Sequence, residues 1–303
     1  MHLVGIDVGG TNFRLGVFSG REQCYEQRFE ADFSRLCRTK PNGALDDILA
    51  TLSSAIAEAL SRFPDSMAVG IGFPGFIEPG SMRIASSPNL PNLLDVDIAG
   101  PLSRQFGLPV IVENDALAAA CGESFYSGIG SLIYVGLGTG VGGGLVLANK
   151  PYPGEHGVAM EIGHIIVEAG GRPCGCGNCG CLEQYASASG VAKSYFELSG
   201  KSLSAREIAE LALQGDADAC SAFDLAGSVM GQALSHVLKV ADVAHVVIGG
   251  GMSASWKLME RAYQTRLAAD LIPVLRGKVR TTVSRAQDSA GMLGAARLAG
   301  NQL

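Results

Sequence analysis

A chain of 303 residues with 47% hydrophobic content can bury a large core, and it exceeds what one core usually spans, so two lobes are expected. The net charge of −6 and the lack of Lys/Arg runs exclude nucleic acid as the main partner, because phosphate-backbone binding needs clustered cations. A single bound nucleotide remains compatible, since backbone N–H groups and a divalent ion can meet its phosphates.

Leu3 to Ile6 reads as a strand that starts at once, without the basic and apolar blocks of a secretory signal, which predicts a cytoplasmic protein. It runs through Asp7-Val8-Gly9-Gly10-Thr11 into a second apolar strand, Phe13 to Phe18. Asp7 then stands at a strand end beside a turn whose N–H groups no side chain obstructs, a geometry that suits phosphates and hydrated Mg²⁺. An ordinary hairpin turn is the competing reading.

From Leu45 to Phe63 apolar residues fall at 45, 48, 49, 52, 56 and 60, the stripe of a helix packed on a sheet. Val69 to Phe73 and Val110 to Val112 read as buried strands, and the alternation implies an α/β lobe. Glu113-Asn114-Asp115 follows the second of these, so its polar groups emerge where α/β proteins tend to place ligands. Asp115 reads either as a general base aimed at a hydroxyl or as the plain N-cap of a helix beginning at Ala116.

Residues 129 to 149 carry no charge, yet seven glycines interrupt them, so strands are expected and no membrane span. Leu132 to Leu137, then Gly138-Thr139-Gly140, then Leu145 to Leu147 repeat the pattern of residues 3 to 18. The echo predicts two lobes of similar build. Gly138 to Gly143 also matches the dinucleotide fingerprint literally, but it runs into a strand where that motif would open a helix.

Glu161-Ile162-Gly163-His164 precedes Cys174-Gly175-Cys176-Gly177-Asn178-Cys179-Gly180-Cys181-Leu182-Glu183. Thiolates and an imidazole this close make a closed tetrahedral zinc site, and Glu161 and Glu183 flank it closely enough to be held for a polar substrate. Cys24, Cys37, Cys121 and Cys220 lie scattered in apolar surroundings and read as buried free thiols. Ser204 to Glu207 forms a capping box, and a periodic run from Ala219 to Val240 makes the second lobe the more helical one. Val246 to Ile248 is a strand, Gly249-Gly250-Gly251 its turn, Trp256 to Leu271 a helix and Ala290 to Leu298 the last helix. A nicotinamide cofactor on this third turn would want an acidic residue at a strand tip about twenty positions on, but Asp270 falls in a helix. Three glycine turns instead suggest one nucleotide held at several points.

Together, Asp7 to Thr11, Asn114-Asp115, Glu161 to His164, the Cys174 to Glu183 loop and the Gly249 to Gly251 turn resemble the ROK family of bacterial sugar kinases and sugar-responsive repressors. The resemblance runs nearly end to end, and the Glu-x-Gly-His plus Cys-Gly-Cys-Gly-x-x-Gly-Cys combination is its most specific part. It implies an α/β fold of the actin-like ATPase, ribonuclease-H-like kind, with two lobes and a central ligand cleft. Residues 1–118 with 289–303 would form the N-terminal lobe, and 119–288 the C-terminal lobe with the zinc loop and nucleotide site.

By position, the resemblance implies that His164, Cys174, Cys176 and Cys181 bind structural Zn²⁺, with Cys179 a bystander. Asn89, Asn114, Asp115, Glu161, His164 and Glu183 would contact the sugar, and Asp7, Gly9, Gly10, Thr11, Asn12, Gly138, Thr139, Gly140, Gly249, Gly250 and Gly251 would hold ATP with Mg²⁺. Asp115 would take the proton of the attacking hydroxyl. Asn12 stands where many relatives have Lys, with Arg14 on the same strand face as a substitute; Met160 and Leu117 replace a common glycine and asparagine. The implied activity is transfer of the γ-phosphate to the C6 hydroxyl of a hexose, glucose first, with allose, N-acetylhexosamine or fructose as alternatives. A homodimer follows from the same resemblance. A sugar-responsive regulator is the alternative of another class; the first turn starts at Asp7, which leaves no room before it for a DNA-reading module.

Overall fold

The computed structural model describes residues 1–40, 42–286 and 289–303. Strands β1 (His2–Val8) and β2 (Asn12–Ser19) form the first hairpin, and β3 (Glu22–Glu30) extends it. In that ladder Asp7 lies directly opposite Arg14. Helices α1 (Phe33–Thr39) and α2 (Ala44–Arg62) lead to β4 (Ser66–Phe73), which runs parallel to β1. The stripe on α2 does what its spacing predicts: Ile48, Leu52 and Ile56 are fully buried, and Leu45, Leu49 and Leu60 pack at the margin of the same core. Phe13 stacks on Phe29 with ring centroids 4.6 Å apart, which ties the hairpin to that core.

Three short strands, β5 (Phe76–Ile77), β6 (Ile84–Ser86) and β7 (Leu94–Val96), pair into a small antiparallel sheet of their own. After α3 (Ala99–Phe106), β8 (Val110–Asn114) joins the main sheet parallel to β4 and leads straight into α4 (Asp115–Ser127). The main sheet therefore has the order β3-β2-β1-β4-β8.

The second sheet repeats this plan. Its strands are β9 (Leu132–Leu137), β10 (Val141–Leu147), β11 (Lys150–Pro151), β12 (His245–Gly249) and β13 (Arg280–Val283), in the order β11-β10-β9-β12-β13. Here too the central strand is parallel to the two that follow on one side, and β10 and β11 are antiparallel. The echo between residues 3–18 and 132–147 is thus a repeat of topology, not a chance likeness of two hairpins. Between β11 and β12 come α5 (Glu183–Ala186), α6 (Ala188–Ser199), α7 (Ala205–Leu213) and α8 (Ala217–Ala241); α9 (Trp256–Asp270) precedes β13. The Ser204 capping box on α7 is complete, with Glu207 N–H donating to Ser204 Oγ and Ser204 N–H to Glu207 Oε2.

The chain divides into two compact units: residues 1–131, 144–159 and 285–303, and residues 132–143 and 160–284. The first unit extends past the expected boundary at 118, and there α4 packs on the last helix, α10 (Ala290–Gly300). The other expected boundary, 288/289, adjoins residues 287 and 288, which lie outside those described. Cys37 and Cys121 are buried as predicted, whereas Cys24 is exposed and Cys220 half-buried; β3 turns Cys24 to the solvent side of an edge strand. No helix among the described residues is long and apolar enough to cross a membrane.

Two backbone features carry testable consequences. A Cβ on Gly70 would lie 1.8 Å from the Ala295 carbonyl oxygen and one on Gly294 1.7 Å from that of Ala118, so α10 rests backbone to backbone on β4 and α4. In the second unit Met160 adopts φ 68°, the left-handed region in which a side chain costs about 1–2 kcal/mol. Gly70→Ala is expected to lower stability by roughly 1–3 kcal/mol or more, while Gly43→Ala, whose Cβ would meet nothing within 4 Å, stays within about 0.5 kcal/mol in thermal melting. Met160→Gly relieves the backbone at some cost in unfolded-chain entropy, and the thermal midpoint of the protein is expected to rise by roughly 1–4 °C.

Candidate active site

In the first unit the turn after β1 is closed by Gly9 N–H donating to the Asn12 carbonyl at 2.9 Å. Its free side stays open: a Cβ at Gly10 would meet nothing within 4 Å. Asp7 is half-buried, and its carboxylate borders the first turn of α10, where a Cβ on Gly291 would lie 2.7 Å from Asp7 Cγ. Asn12 donates from its amide nitrogen to Thr11 Oγ1 at 3.2 Å. Arg14 faces Asp7 across the ladder and lies 3.9 Å from Glu26.

The helix cap at α4 differs from the sequence reading. Asn114, not Asp115, is the N-cap: its Oδ1 accepts the Leu117 N–H at 3.0 Å and its Nδ2 donates to the Gly75 carbonyl at 3.0 Å. Asp115 is therefore the first residue of the helix, and its carboxylate is not consumed as a cap. Oδ1 accepts the N–H of its neighbour Ala116 at 2.8 Å, and the backbone N–H of Asp115 itself also donates to the carboxylate. Burial pushes its pKa above the usual aspartate range, opposed by these backbone N–H groups. Glu113 beside it is also pushed up by burial and accepts the Asn114 N–H at 2.8 Å. Asn89 is exposed in the turn after β6, where its carbonyl accepts Ser34 Oγ–H at 3.0 Å. A cavity of about 270 Å³ opens elsewhere in this unit, lined by Cys121, Phe125, Asn149 and Arg297, and contains none of these residues.

In the second unit the Gly138 to Gly140 turn leads into strand β10 and not into a helix, so the dinucleotide fingerprint is a literal match without its context. Gly138 N–H donates to the Gly140 carbonyl at 2.9 Å, and the turn is fastened to the start of α6 through Ala188 N–H on Gly138 O. Glu183, the first residue of α5, accepts the Val141 N–H at 3.1 Å, and a Cβ on Gly140 would sit 2.4 Å from that carboxylate. Glycine at 140 is what lets the acid reach the turn. The third turn arrives at the same place: a Cβ on Gly250 would lie 2.3 Å from the Leu137 carbonyl, at the end of β9. Residues 251–255 form a short 3₁₀ turn before α9.

The cysteine loop gathers the four residues predicted for it. One ligand atom from each of His164, Cys174, Cys176 and Cys181 lies within 4.8 Å of the others. His164 Nδ1 is 3.6 Å from Cys174 Sγ, and Cys176 Sγ is 3.6 Å from Cys181 Sγ. Ligands about 2.0–2.3 Å from a tetrahedral ion stand roughly 3.6–3.8 Å apart, so the separations and the donor set both suit Zn²⁺. Burial pushes the Cys181 thiol up to about 12, so a bound cation is what would make it a thiolate at neutral pH. Cys179 is exposed and stands outside the four. The other nitrogen of His164, Nε2, lies 3.9 Å from Glu161 Oε2. The imidazole thus joins the cysteine cluster to Glu161, and the backbone before Glu161 is the strained Met160. Sequence reasoning missed Arg172, whose guanidinium reaches the carbonyls of Gln184 and Gly190, Ser194 Oγ and Glu197. Its only local sign was a lone arginine beside the loop.

Comparison with known proteins gives this geometry its relatives. The model of the ROK family matches residues 3–302. A glucokinase of Thermotoga maritima is 29% identical over 98% of this chain and 97% of its own. An N-acetyl-D-glucosamine kinase of Shigella flexneri is 34% identical over 97% and 98%. The crystal structure of a ROK family glucokinase from Streptomyces griseus, in complex with glucose and AMPPNP, superposes with a TM-score of 0.83 at 29% identity, covering 99% of this chain and 100% of that one. The duplicated sheet order is that of the actin-like ATPase fold which such kinases share. With a family match over nearly its whole length, the chain belongs to the ROK family.

Proposed function

We propose that the protein is an ATP-dependent hexokinase of glucokinase type, which transfers the γ-phosphate to the C6 hydroxyl of glucose. Hexokinase-type phosphotransfer is the activity of its family relatives, and their names divide between glucose and N-acetylglucosamine. Asp115 carries the reading. A carboxylate at the first position of a helix, not used as the helix cap and raised in pKa by burial, is suited to accept a hydroxyl proton.

On this reading Asn89, Asn114, Asp115, Glu161, His164 and Glu183 are the sugar contacts. Asp7, with Gly9, Gly10, Thr11 and Asn12, takes the Mg²⁺ and phosphates; Gly138 to Gly140 and Gly249 to Gly251 take the rest of the nucleotide. Mg²⁺ would supply charge neutralisation at the transferring phosphoryl group. His164, Cys174, Cys176 and Cys181 would hold Zn²⁺, which fixes the imidazole and through it Glu161. Water competes with the sugar as acceptor, so catalysis needs the hydroxyl seated beside Asp115 before transfer. A cytoplasmic homodimer completes the proposal.

A second sugar, N-acetylglucosamine, is favoured by one observation, the higher identity to the kinase named for it. The two differ at C2, and a site built to seat a hydroxyl discriminates against a bulky amide through a few contacts. Coupled ADP release over a panel of hexoses is expected to favour glucose by about tenfold or more in kcat/KM. An equal preference for N-acetylglucosamine would move the assignment to the second sugar, and no turnover of any hexose would reject the kinase.

Asp115→Asn is expected to lower kcat by about 10²–10⁴ while glucose still binds in calorimetry. The base must be ionised to work, and its pKa lies above the ordinary value of 3.8; the acid limb of kcat/KM is therefore expected to have its midpoint above 3.8.

A further inference from the structure

Behind the cysteine cluster runs a chain of polar groups that the sugar and nucleotide roles do not use. Lys193 Nζ donates to Gln184 Oε1 at 2.7 Å, and Gln184 Nε2 donates to Cys174 Sγ at 3.6 Å. The direction of the amide is fixed by chemistry: an ammonium only donates, so the amide oxygen must face Lys193 and the NH₂ must face the sulfur. Gln184 and Cys174 are each 9% exposed, which keeps water from replacing that contact. Arg172 holds the two ends in register, donating to the Gln184 carbonyl of α5 at 2.7 Å and to Ser194 Oγ of α6 at 3.0 Å.

We propose that Gln184 and Lys193 form a relay that brings positive potential to the Cys174 sulfur and tightens zinc binding by the loop. The inference rests on the zinc reading above and adds to it two residues outside the ligand set. Three thiolates and a neutral imidazole around Zn²⁺ leave one net negative charge in a loop partly shielded from water. An N–H aimed at sulfur, itself polarised by an ammonium, offsets that charge and orients the ligand; outer partners of this kind are typically worth about 10–100-fold in metal affinity.

The test is zinc affinity of the full-length protein, measured by competition with a chromophoric chelator. Zinc content comes first: wild type should hold one zinc per chain and Cys176→Ser none, and a wild type without zinc would sink the metal site itself. Gln184→Glu keeps the shape and the Lys193 contact but replaces the donor with a carboxylate, and is expected to weaken zinc binding by about 10–100-fold. Lys193→Met, at the exposed end where folding is not at risk, is expected to weaken it by less. Because the lysine acts through the glutamine, Lys193→Met should add nothing in a Gln184→Leu background. Zinc affinity of folded Gln184→Glu within about twofold of wild type, an unchanged Lys193→Met, or independent losses in the double variant would each overturn the relay while leaving the zinc site intact.

Discussion

The carbonyls of α10 lie against glycine Cα atoms of β1, β4 and α4 with no room for a methyl group, and the placement of Asp7 and Asp115 depends on that contact. A Cβ on Gly5 would stand 1.9 Å from the Met292 carbonyl oxygen, and one on Gly122 2.0 Å from that of Ala290. Interiors are too dense to absorb such an intrusion without moving backbone. Because α10 sits this close, its first turn reaches the Asp7 carboxylate, and α4 is held so that Asp115 opens it. Packing in this unit therefore positions charge, not only apolar surface.

The second unit has glycine contacts of the same kind, such as that of Gly227, where a Cβ would lie 2.3 Å from the Met259 carbonyl oxygen. It adds polar anchors: Val141 N–H on Glu183, Ala188 N–H on Gly138, and the Arg172 guanidinium spanning the carbonyls of α5 and α6. Such ties are directional and each must be satisfied, since a buried donor without a partner costs about 1–3 kcal/mol. The irregular stretch between β11 and α5 lacks regular secondary structure to meet that need, and a metal with four protein ligands would supply much of the missing rigidity. His164 links the two roles, with one ring nitrogen toward the cysteines and the other toward Glu161.

Duplication of the sheet order explains why the glycine turns resemble one another in sequence. The first two each follow the central strand of their sheet and open a hairpin, so each places glycine N–H groups at a strand end. The two halves differ around them. The first turn keeps an acid, Asp7, while the second gives the acid's place to Glu183, which arrives from a helix more than forty residues away in sequence.

Much of this was legible before any coordinates, and the division has a physical basis. Strand alternation, the α2 stripe, the Ser204 capping box and the spacing of His164 with Cys174, Cys176 and Cys181 are set by local geometry, where periodicity and chain reach leave few choices. The tertiary structure alone decided that Asn114 and not Asp115 caps α4, because the Gly75 carbonyl thirty-nine residues away holds the asparagine amide in place. It likewise decided that Glu183 meets the Gly140 turn, that Gln184 faces Cys174, and that the first unit reclaims residues 144–159. Such contacts join segments distant in the chain, and only the collective packing of the core selects them; no local preference of the residues involved distinguishes a carboxylate that caps a helix from one left free to take a proton.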